Sequence, residues 1–153
     1  MNKDKRPTGY WILVSLTVIA IMLMLVGQTA SVFDYDFTVR NGLQESEAQV
    51  SAYGVQVNRA FGAGDTVVYV PLLLASLIGL WRRKSWSLIV TGAAAGVSLY
   101  WSFTIIFIFI FLPGTFGYDY VPGIDIWVFV ISFTIFGLWS LLYLIFRGKK
   151  LIE

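Results

Sequence analysis

Apolar residues fall along this chain in four long runs separated by polar stretches of very different length. A hydrocarbon layer about 30 Å thick takes roughly 20 apolar residues in a helix that rises about 1.5 Å per residue. Residues 10–30, 87–112 and 124–146 meet that length outright. Residues 66–81 give only about 24 Å at that rise, so the second run either thins the bilayer or begins further out, near Phe61. The pattern predicts an all-α membrane protein: one domain over residues 1–153, a bundle of four transmembrane helices with a small extracytoplasmic cap, residues 31–64, between the first two.

Within the cap the pattern changes period. Tyr35, Phe37 and Val39 alternate with Asp36, Thr38 and Arg40, as in a short half-exposed strand. Asn41-Gly42 reads as a turn or helix start, residues 43–53 as a short helix capped by Asn41, and Gly54 as the residue past its end. Gly62, Ala63 and Gly64 then loosen the chain, and Asp65 in GAGDT opens the second span as its N-cap. The second outer connection, residues 113–123, is bounded by Pro and Gly and carries aromatics suited to the headgroup level.

The charges orient the bundle. Lys3, Lys5 and Arg6 precede the first run, Arg82, Arg83 and Lys84 fill the turn between the second and third, and Arg147, Lys149 and Lys150 follow the fourth. All three clusters fall on one side, which with Asp4 and Glu153 carries +7, while the other side carries −5. Basic residues near span ends stay in the cytoplasm, so both termini are expected inside, at the plasma (inner) membrane. The first apolar run exceeds the roughly 7–15 residues of a signal-peptide core and reads as a retained span.

Composition then narrows the chemistry. At 58% hydrophobic and 13% charged residues, with a mean hydropathy of +0.75, the chain sits far from soluble averages. It has no Cys and no His, which removes thiolate and imidazole ligands and the commonest general base. No cofactor is expected, and the basic residues, spent on topology, leave no nucleic-acid surface. No Asp, Glu, Lys or Arg lies in the middle of a run, against the proton-coupled and voltage-sensing classes. Several four-helix families are excluded by residues they require. There is no Glu in the first run for a small multidrug transporter, no His for an emopamil-binding sterol isomerase, and no Cys for a quinone-linked disulfide oxidoreductase or a claudin-like loop.

Helices in lipid associate through small residues that let backbones approach. Gly92 and Gly96 form a GxxxG in the third run, and Ala75 and Gly79 repeat the spacing in the second. The expectation is a close antiparallel pair of these two helices, with a homodimer face as the alternative. Two places are candidates for chemistry. At the outer ends, Asp34, Asp65 and Asp119 could converge on a hard cation, and Pro71 would free the Val67 carbonyl beside Asp65 and Thr66. Near the midplane, Tyr100 and Trp101 need inward partners such as Ser15, Ser76 or Ser132. With Phe129, Phe133, Phe136 and Tyr143 they would otherwise line a pocket for a flat apolar ligand. The functional expectation is a non-enzymatic accessory protein or complex subunit packing against lipid, a membrane protein partner or a second copy. The alternative is a carrier or pore for a small cationic or apolar solute, with its mouth near Asp65 and Pro71.

Overall fold

The computed structural model describes residues 6–152, which are helical and contain no strand. Lys3, Asp4, Lys5 and Glu153, which entered the charge count, lie outside the described residues. Four helices are long and apolar enough to cross a membrane: α1 (Thr8–Phe33), α3 (Glu47–Trp81), α4 (Trp86–Phe111) and α5 (Ile124–Arg147). Two short helices complete the set, α2 (Tyr35–Arg40) in the cap and α6 (Lys149–Ile152) at the C-terminal end.

The cap departs from its sequence pattern. The segment expected as a strand is α2, because Asp34 caps it by accepting a hydrogen bond from Phe37 N at 2.8 Å and because Thr38 folds back to donate to Tyr35 O at 2.7 Å. Asn41-Gly42 is a turn, with Gly42 at φ +68, where glycine is favoured. Ser46, not Asn41, caps the next helix, and Gln49 Oε1 completes the reciprocal box by accepting from Ser46 N at 2.8 Å. Gly54 lies inside that helix rather than beyond its end.

The second span therefore begins at Glu47, nineteen residues before Thr66, where the apolar run starts, and α3 continues through the Gly62-Ala63-Gly64 stretch to Trp81. One residue interrupts it: Ser51, at φ 64 and ψ 166, breaks the first turn from the rest. The break leaves Gln49 O open to a donor, and Asp119 N, from the connection between α4 and α5, fills it at 2.7 Å. Cap and far connection are thus stitched by backbone.

Two turns of the bundle are π-helical and lie side by side, Met24–Thr29 in α1 and Asp65–Tyr69 in α3. In each, an N–H reaches the carbonyl five residues back: Ala30 to Leu25 and Val70 to Asp65. In α3 the cause is local. Pro71 has no N–H and its ring crowds the carbonyl four residues back, so the helix widens just before it. Thr66 joins the two wide turns, donating from Oγ1 to Gly62 O at 2.7 Å and lying 3.0 Å from Thr29 Oγ1.

On the basic side the helices form a ring in which α1 meets α3 and α5, and α4 meets α3 and α5. Polar side chains pin the α3–α4 seam: Ser76 Oγ lies 2.6 Å from Thr91 Oγ1, and Tyr69 bonds to Ser98. Gly79 sits against the start of α4, where a β-carbon would fall 2.7 Å from Ser87 Cβ. α3 and α4 thus approach closely at Gly79, and Ala75 is half-buried. Gly92 and Gly96 do not contribute. A β-carbon at Gly96 would meet nothing within 4 Å, and one at Gly92 only Leu144 Cδ1 at 3.8 Å. α4 rotates that face outward because Thr91, Ala94, Ala95, Ser98 and Ser102 occupy the buried side. The close approach between α4 and α5 instead uses Gly137, whose β-carbon would lie 3.0 Å from Ala95 O.

Candidate functional site

Span ends on the cap side enclose a cleft of about 530 Å³. Its walls come from helical stripes. Gly54, Val57, Asn58 and Phe61 repeat at three- and four-residue steps along α3, facing Trp101, Ile105, Ile108, Phe109 and Leu112 along α4. Leu23 and Val26 of α1 and Ile126, Phe129 and Val130 of α5 close the sides. Most of this surface is apolar. The polar groups gather toward the cap, where Gln28, Gln44, Glu45, Asn58, Tyr118 and Asp125 line the cleft. No Lys or Arg is among the lining residues.

The cap holds this rim in place through one cluster. Tyr35 Oη donates to Glu45 O at 2.8 Å and accepts from Asn58 Nδ2 at 3.1 Å, and Asn58 Nδ2 also reaches Glu45 Oε2 at 2.7 Å. Burial pushes the Glu45 carboxyl above its ordinary range, opposed by hydrogen bonds from its own backbone and from Asn58. Burial likewise raises the Tyr35 and Tyr120 hydroxyls, Tyr120 further through nearby Glu45 and Asp125. Gln44 Nε2 donates to Gly27 O at 3.3 Å, and the Arg59 guanidinium to Val32 O at 3.2 Å, so cap and α1 are tied as well.

A second cleft, of about 250 Å³, continues along the same α3–α4 groove. Phe61, Trp101 and Ile105 line both clefts. Its lining is Gly64, Asp65, Val68 and Tyr69 of α3 and Val97, Tyr100 and Thr104 of α4. Asp65 is only 8% exposed, and its Oδ2 is buried without a hydrogen-bond partner.

Asp65 is therefore not an N-cap. Gly64 before it is already helical, at φ −58 and ψ −46, and the residue sits inside α3 at the wide turn. Thr66 points instead to α1, so the expected cluster of Asp65, Thr66 and the Val67 carbonyl does not assemble. Nor does the cation triad. Asp34 is occupied as the α2 cap, Asp119 is exposed, and no group of three or more carboxylates among the described residues is placed to hold a metal ion.

The midplane aromatics divide as well. Trp101 is buried, edge-on to Phe129 at 5.4 Å and beside Phe133 at 5.5 Å, and it faces both clefts. Tyr100 is 72% exposed and lines the second cleft. Phe133 and Phe136 are core residues rather than pocket lining, and Tyr143 stacks on Trp139 at 5.9 Å. The serines expected to partner Tyr100 and Trp101 are engaged or distant in orientation: Ser76 meets Thr91, Ser132 bonds to Val128 O, and Ser15 is exposed.

Sequence reading missed the cleft residues Gln28, Glu45, Asn58, Phe109 and Tyr118. The signal was the α3 stripe 54, 57, 58, 61, 64, 65 and 68, which emerges only if residues 52–81 are taken as one helix.

Fold and site define a helical protein with four spans long and apolar enough for a membrane and two clefts between its second and third spans. Compared with known proteins, the chain matches no family model, no curated protein and no solved structure.

Proposed function

We propose that this is a non-enzymatic, multi-pass accessory protein of the plasma membrane that holds one membrane lipid in its cap-side cleft. The basic face lies in the cytoplasm and the cap outside, following the retention of Lys and Arg at span ends. The observation that carries the reading is the shape and chemistry of the 530 Å³ cleft. It falls within the roughly 300–1,000 Å³ range of small-molecule sites, and its lining is mostly apolar with the polar groups gathered toward the cap. A lipid matches that gradient, with its chains against Ile105, Phe129 and Val130 and its head against Asn58, Gln44 and Tyr118.

The absence of His and Cys supports a binding role over catalysis. The outward face of Gly92 and Gly96 offers a second membrane helix, from a partner or another copy, a close seat. The carrier alternative is favoured by one feature, the paired π-helical turns, since such turns recur at functional sites in helices.

The test is native mass spectrometry of the full chain released from detergent. Wild type should retain one phospholipid per chain, and Val57→Trp, which fills the cleft from a half-buried position, should retain none. Equal retention by both would refute the reading.

A further inference from the structure

Asp65 presents an unsolved electrostatic problem in this fold. An ionised carboxylate with no partner is costly in apolar surroundings, yet no Lys or Arg among the described residues lines its 250 Å³ cleft. Of the other polar side chains in the same wide turn, Thr66 is engaged with Gly62 O and Thr29, and Tyr69 with Ser98. A carboxylate with one oxygen buried and unpartnered, on a residue that lines a cavity, marks the place where a ligand supplies the missing group.

The walls select the kind of cation. A bare Ca²⁺ takes about six to eight oxygen ligands, and Mg²⁺ about six with waters. This cleft provides one carboxylate and otherwise Gly64, Val68, Val97, Ile105 and aromatic rings, with Thr104 as its one aliphatic hydroxyl. An organic ammonium needs a single counter-charge, accepts apolar contact along its body, and is attracted to aromatic faces. Tyr100 and Trp101 stand on α4 across the groove from Asp65.

We propose that the cleft between Asp65 and the Tyr100-Trp101 pair binds an organic ammonium group carried on an apolar body, with the Asp65 carboxylate as its counter-charge. The inference does not rest on the lipid reading, because Asp65, Val68, Tyr69 and Tyr100 line the second cleft and not the first.

The experiment is thermal unfolding of the full chain in a nonionic detergent, titrated with decylamine, with decanol, or with NaCl or CaCl₂ alone. Three proteins are compared: wild type, Asp65→Asn, and Val68→Trp, which fills the cleft from an exposed position and leaves the carboxylate in place. Decylamine should raise the unfolding temperature of wild type saturably, with an apparent affinity roughly tenfold or more above that of either variant, while decanol should not distinguish the three. Equal decylamine shifts in all three proteins would show an effect of the micelle and overturn the proposal. Decanol acting as well as decylamine would mean a purely apolar cleft. Stabilisation by Na⁺ or Ca²⁺ that is lost in Asp65→Asn, with no further gain from decylamine, would make it a metal site. If Asp65→Asn does not fold, wild type against Val68→Trp still decides the proposal: a decylamine affinity weakened in Val68→Trp upholds it, and equal shifts in the two overturn it.

Discussion

Replacing Gly62 by Leu tests how α1 and α3 are held together. A β-carbon at Gly62 would fall 2.7 Å from Gln28 O and 2.7 Å from Ser31 Oγ. Carbon–oxygen contacts across packed helices settle at about 3.3–3.6 Å, so the two helices must separate by roughly 0.6–0.9 Å at this level. The nearest obstacle is a backbone carbonyl, which no rotamer change relieves, and the separation also stretches the neighbouring Thr66–Thr29 contact of 3.0 Å. Overpacking of this kind costs about 1–3 kcal/mol, and a Leu side chain belongs at the upper end. Gly to Leu in a helix returns somewhat under about 1 kcal/mol in propensity, leaving a net loss of about 2 kcal/mol. Gly96→Leu meets nothing within 4 Å and keeps only the propensity gain. The assay is unfolding of monomeric, detergent-solubilised protein followed by tryptophan fluorescence. Gly62→Leu should unfold well before wild type, and Gly96→Leu at or slightly after it. Equal losses at both positions, or the reverse order, would refute the assignment of the close contact to Gly62.

Ser51 adopts a backbone conformation open almost only to glycine, at a cost of about 1–3 kcal/mol, so Ser51→Gly should stabilise the protein by up to about 1 kcal/mol after glycine's own entropic cost. Thermal unfolding checks this, and a loss of stability would show that the Ser51 side chain matters more than its strain. Glu45 titrates above its ordinary range because it is buried, so its contribution to stability is fully present at acid pH and is lost as pH rises through its folded value. Glu45→Gln, which keeps an acceptor for Asn58, should therefore exceed wild type in unfolding temperature at neutral pH and converge with it in acid. A gap that widened in acid would reverse the sign of the argument.

The spans themselves were legible, since an apolar run free of charges allows little else within a bilayer. Their outer ends were not. Six residues of alternating character at Tyr35–Arg40 fit either period, and the Asp34 cap decided for helix. Gly62-Ala63-Gly64 looks like a break, but Gly62 is there so that α1 can approach, and the helix runs through. Reading a break at that point made Asp65 a cap; in a continuous helix the same residue is a buried, unpartnered carboxyl. The small residues of α4 announced close packing correctly, but sequence does not say which side of a helix its neighbours occupy. The contact formed at Ala95 against Gly137, an isolated glycine with no partner four residues away, while the recognisable GxxxG turned outward.

The paired wide turns of α1 and α3 also bear on insertions and deletions. A turn that closes five residues back holds one residue more than an ordinary α-helical course, and one residue is about 100° of rotation. Removing a single residue from Asp65–Tyr69 would take out that surplus and leave the two halves of α3 in phase, so Ser76 would keep Thr91 and Gly62 would keep Gln28. The cost would fall on Pro71, whose ring would then meet the carbonyl four residues back in an ordinary turn. A residue lost from a regular stretch of either span has no such slack and would swing one side by about 100° against its neighbours. The two wide turns, which touch each other, are therefore where α1 and α3 can absorb a change of one residue without losing their shared face.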